Sequence, residues 1–185
     1  MNAFEYSTAF YVLLLGLALA NITTGAAELW RERTEVRWGI CNPLLALAVL
    51  TFCLGQWYVT WLSQNIFVMS PLLLLSMLFS TLPLIFISQA MFPKDTQRWK
   101  SLDDYYLSHR RLLLSLLMTS PIAAILFNAI IYRDFSSDAL IRGVMTVGCP
   151  ALAMPFRNRW IHASALLIVS AYYVFFRLLF DFWLA

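Results

Sequence analysis

Six apolar stretches, at residues 8–29, 39–62, 66–92, 112–132, 139–156 and 160–182, fill the chain almost end to end. The polar gaps between them are short and alternate between basic and charge-poor. Most of the stretches approach or exceed the roughly 20 residues that cross about 30 Å of hydrocarbon at 1.5 Å per residue. Backbone groups in lipid must be paired within their own segment, and these runs lack the apolar/polar alternation of a barrel strand, so helices are predicted throughout. The expected fold is all-α, a polytopic membrane bundle of six transmembrane helices forming one domain over residues 1–185.

The gaps set an orientation. Arg31, Arg33 and Arg37 follow the first stretch; Lys94, Arg98, Lys100, Arg110 and Arg111 follow the third; Arg157 and Arg159 follow the fifth. The other side carries only Arg133, Arg142 and Arg177. The positive-inside rule therefore places loops one, three and five in the cytoplasm and both termini on the outer side of a plasma (inner) membrane. Trp30, Trp38, Trp57, Trp61, Trp160 and Trp183 lie near predicted span ends, where an amphipathic ring prefers the interface. The fifth stretch is the least regular, interrupted by Arg142, Gly143, Gly148, Pro150 and Pro155. A re-entrant segment there would carry Arg157 and Arg159 to the outer side and break the charge rule, so six spans is the preferred reading.

Composition adds exclusions. Of 185 residues, 61% are hydrophobic and 12% charged, far from the balance of a soluble domain. The net charge of +3 sits at membrane edges rather than in one soluble patch, so nucleic acid is not a predicted partner. The first stretch has no preceding Lys or Arg and runs into Glu28 and Trp30, which reads as an uncleaved helix rather than a signal peptide. Cys41, Cys53 and Cys149 all fall within spans and show no metal spacing. Only the third loop, about 93–111, is long enough for structure of its own. There Trp99, Leu102 and Tyr106 are spaced to share a face of a short interfacial helix, read as a connector resting on headgroups.

The candidate site residues are polar groups inside the spans. Asn21, Thr24, Gly25 and Glu28 fall on one face of the first stretch, beside a small-residue face of Gly16, Ala20 and Thr24. The favoured reading is a central packing helix with Asn21 as interhelical glue; the sharper one lets Asn21 and Glu28 line a polar path. Glu28 has Arg31 at i+3 as a partner. Cys53, Gln56 and Thr60 share a face in the second stretch, and Asn128 lies in the fourth. Arg177 and Asp181 form an i, i+4 pair in the sixth, with Arg142 at a similar depth. His109 and His162 are predicted near the cytoplasmic face, where histidines are solvated, so neither a metal nor any other cofactor is assigned.

No catalytic, nucleotide or cofactor motif is present. A weak resemblance between Cys41-Asn42-Pro43 and Cys149-Pro150 is too thin for an inverted repeat. The polar faces, recurrent prolines and charged pair favour a small transporter or channel-like protein. The alternative is a non-catalytic scaffold or subunit that binds a membrane partner protein, a second copy or lipid. A lipid-directed enzyme using Asp103, Asp104 and His109 ranks last, because their spacing matches no catalytic signature.

Overall fold

The computed structural model describes residues 3–31, 37–62, 64, 71–95, 98–131 and 137–175. Nearly all of these are helical and none lies in a named strand; an isolated bridge pairs Arg37 with Ser101. Four helices are long and apolar enough to cross a membrane: α1 (Ala3–Arg31), α2 (Cys41–Leu62), α3 (Pro71–Ala90) and α4 (Leu102–Ile131). Two shorter apolar runs follow. The first joins α5 (Ser137–Gly143), a π-helical turn (Val144–Gly148) and α6 (Cys149–Ala153) into one rod; the second begins with α7 (Arg159–Tyr172).

Local chemistry explains where the helices begin. Pro71 opens α3, where its missing N–H has no intrahelical partner to lose. The Ser101 hydroxyl accepts the Asp104 N–H at 3.2 Å and caps α4. The Asn158 side chain accepts the Trp160 N–H at 3.0 Å and caps α7. Because of the Ser101 cap, α4 starts ten residues before the apolar run at 112 and absorbs the predicted interfacial helix as its own first turns. Leu102 and Tyr106 face the core on it, whereas Trp99 stands ahead of the helix and packs edge-on against Tyr105 and His109.

Packing places α3 between α1 and α4, with α2 against α7 and touching α1, α3 and α4. The rod of α5, the π turn and α6 lies against α4, and its π turn and α6 also meet α7. Tyr11, Leu45, Phe52, Leu84, Ile87, Met91, Tyr106, Leu113, Leu117 and Leu166 are fully buried in one core. Meanwhile Leu13, Ile130, Leu140 and Leu152 are each about 70% exposed or more. Apolar side chains that open on the outside of an apolar bundle fit a hydrocarbon surround.

The first stretch was predicted as the central helix, and the structure corrects this. α1 is the least buried of the four long helices. Its interior stripe is Tyr11, Leu15, Ala18, Ile22, Gly25 and Leu29, a helical spacing that seats large side chains against its neighbours. Gly16, Ala20 and Thr24 therefore turn outward. α2 holds the central place instead.

The loops after α1, α3 and α6 converge at one end. Leu102 N–H donates to the Arg37 carbonyl at 3.1 Å, and the Cys41 thiol lies 3.5 Å from the Arg159 carbonyl. These are the loops that hold the chain's basic clusters. Exposed Arg31, Arg37, Lys94, Arg98, Lys100, Arg111, Arg157 and Arg159 ring this end.

Candidate functional site

Three helices, α2, α4 and α7, start at the basic end, so their positive dipole ends come together there. Asp103 answers this arrangement. Its carboxylate, only 7% exposed, accepts the Cys41 backbone N–H at 2.9 Å and so caps α2 from another helix. The contact depends on Gly39, because a Cβ there would fall on the Asp103 carboxylate. The same stretch, residues 37–41, is pinned at its other end by the Arg37–Leu102 hydrogen bond.

A second set of bonds ties α4 to the last loop and α7. His162 is fully buried, with Nε2 3.0 Å from the Phe156 carbonyl and Nδ1 3.2 Å from the Tyr106 hydroxyl. A carbonyl can only accept, so Nε2 carries the proton and Nδ1 accepts from Tyr106. Arg110, 8% exposed, donates from Nε to the Met154 carbonyl at 3.1 Å and from a terminal nitrogen to the Leu107 carbonyl at 2.8 Å. Asn42 donates to the Met91 carbonyl at 2.9 Å, and the Tyr105 hydroxyl to the Ala90 carbonyl at 2.6 Å. Apart from the Arg110–Leu107 bond within α4, each crosses from one segment to another, and together they form a latch.

Higher in the bundle the polar groups also meet across helix contacts. Asn21 on α1 donates to the Ser88 hydroxyl on α3 at 3.1 Å, and the Ser88 hydroxyl in turn donates to the Ile85 carbonyl at 2.7 Å. The Tyr11 hydroxyl on α1 donates to Gln56 Oε1 on α2 at 3.4 Å, with Ser80 and Thr60 beside it. Most hydroxyls in the helices bond back to carbonyls three or four residues earlier, as Thr51, Thr60, Ser80 and Ser170 do.

The predicted site residues do not gather. Asn21 and Gln56 occupy separate interhelical contacts, and Glu28 is exposed near the basic end. Arg142 is half-buried in the last turn of α5, where its carbonyl accepts the Thr146 hydroxyl at 2.7 Å. Asn128 falls on α4 with its side chain outside the described set, and Arg177 and Asp181 lie outside the described residues. The two histidines part company. His109 sits half-buried among Trp99 and Tyr105, with Nδ1 3.0 Å from the Tyr105 carbonyl. His162 was expected to be solvated, but Tyr106 and Phe156 hold it dry. With both nitrogens engaged it has no lone pair left for a metal. No group of three or more His, Cys, Asp or Glu placed to hold a metal occurs among the described residues.

Sequence reasoning missed Tyr11 altogether, and placed Tyr106 on an interfacial face and Arg110 in a basic loop without their cross-element bonds. Tyr11 could have been found from its place in the stripe of Tyr11, Leu15, Ala18 and Ile22. The partners of Tyr106 and Arg110 are 56 and 44 residues away and left no local signal. No protein family, curated protein or solved structure matches the chain.

Proposed function

We propose that the chain is a six-span membrane protein with its basic end in the cytoplasm and both termini on the outer side, acting as a non-catalytic scaffold or subunit. Its spans give it a fixed frame, and the basic end presents the surface that engages lipid or a membrane partner. The observation that carries this reading is the use of Asn21 and Gln56. The two amides best placed to line a path are joined to Ser88 and Tyr11 on neighbouring helices, which is packing chemistry. The rod from Ser137 to Ala153 supports a full crossing by the fifth stretch and so six spans, because it delivers Arg157 and Arg159 to the end that holds the other basic loops.

The test replaces Cys41, Cys53 and Cys149 with Ala, then introduces Asn21→Cys or Gln56→Cys and reconstitutes each variant in vesicles. In a dry bundle both new thiols resist a membrane-impermeant maleimide from either side and react only after denaturation. Rapid labelling of either thiol in intact vesicles would overturn the scaffold reading and restore the transporter or channel-like one. An Arg98→Cys variant in the same background, labelled only from the cytoplasmic side, checks the orientation.

A further inference from the structure

The geometry points to the basic end as a binding surface for anionic phospholipid headgroups, with Arg31, Arg111 and Arg159 as phosphate ligands. This deepens the proposed function and rests on the reading of the chain as a bilayer-spanning bundle.

Three observations carry it. First, charge at this end is lopsided: eight exposed Lys and Arg side chains stand against exposed Glu28, Asp95 and Asp104 among the described residues. Second, the three arginines each adjoin an apolar side chain that opens outward. Trp30, 60% exposed, precedes Arg31; Leu112, 53% exposed, follows Arg111; Trp160, 59% exposed, follows Arg159. The Arg159 guanidinium carbon stands 5.4 Å from the centre of the Trp160 ring. A cation bordering an outward apolar surface sits where hydrocarbon meets headgroup, which is the depth of a lipid phosphate. An acidic protein segment would instead meet cations set away from that boundary.

Third, the helix directions aim the side chains. Cα–Cβ bonds tilt toward a helix N-terminus, and α4 and α7 both start at the basic end. Arg111 lies about two turns beyond Asp103 along α4, and its long stem leans back toward the headgroup layer as it snorkels. Arg31, at the last turn of α1, is already there. The three helices stand at different places in the bundle, since α3 separates α1 from α4 and α2 carries α7. The bases therefore address several lipids of the surrounding shell.

The experiment reconstitutes the full chain in phosphatidylcholine vesicles and reads quenching of tryptophan fluorescence by brominated phosphatidylcholine and brominated phosphatidylglycerol. Brominated phosphatidylglycerol is expected to compete about fivefold better at low salt, the scale of one basic contact. That advantage should fall toward parity at 1 M salt, where the screening length is about 3 Å. The triple variant Arg31→Gln, Arg111→Gln, Arg159→Gln should lose the advantage, while the matching triple Lys variant keeps most of it and serves as the folding control. Equal quenching by the two lipids, or an advantage untouched in the Gln variant, overturns the inference and leaves these bases to solvent or an acidic protein segment. Failure of brominated phosphatidylcholine to quench the wild-type chain would instead bring down the spanning reading itself.

Discussion

Gly39, Cys41 and Asp103 show how much a single contact decides at the basic end. The carboxylate occupies the space a Cβ at position 39 would take, so Gly39→Ala must push Asp103 off the Cys41 N–H. Overpacking of this kind costs about 1–3 kcal/mol. Asp103→Ala leaves the same N–H buried and unpaired, for about 1–3 kcal/mol, whereas Asp103→Asn keeps an acceptor oxygen and costs less. Thermal unfolding in detergent micelles checks the order: wild type above Asp103→Asn, and both above Asp103→Ala and Gly39→Ala. Tyr106→Phe removes only the donor to His162 Nδ1, and should cost about 1 kcal/mol by the same measurement. None of this was legible in the sequence. A glycine two residues ahead of a helix reads as a turn, and its role as a space for another helix's side chain has no local mark.

At the scale of elements, the sequence was a good guide to helix interiors and a poor one to their ends. Apolar runs at 39–62 and 112–132 lie within or nearly within α2 and α4, because burial in lipid or core demands the same residue types. The start of α4 at Leu102 depends on a hydroxyl cap and on a first turn whose Asp103 is buried against the Cys41 N–H, and hydropathy is blind to both. Ser101→Ala should therefore cost about 1 kcal/mol and fray the first turn of α4, read as faster amide hydrogen exchange at residues 102–105. The π turn at Val144–Gly148 was likewise hidden. Arg142, Gly143, Gly148 and Pro150 marked the region as irregular, and the irregularity is a widened helical turn with Thr146 buried inside it.

For the whole molecule, the alternation of basic and charge-poor gaps was the most informative pattern. Loops one, three and five meet at one end of the structure because successive helices reverse direction, and hydrogen bonds from Leu102 to Arg37 and from Cys41 to Arg159 hold them there. What the pattern could not supply was the reason they hold together. Charge statistics place loops on a side, while the latch depends on contacts between residues as far apart as Cys41 and Arg159.

That separation bears on how the chain is made. As a ribosome feeds the helices into a bilayer in order, Cys41, Tyr106 and Arg110 enter before the segment that supplies the Met154 and Arg159 carbonyls and the His162 ring. Until that last segment arrives, α4 carries a buried tyrosine and arginine without their cross-helix partners, and the basic end stays unlatched. Closure of the latch thus waits on the segment from Met154 to His162. A chain stopped before Met154 presents open polar groups to the enzymes that clear unfinished membrane proteins, and pulse–chase turnover of such a truncation should be faster than that of the full chain.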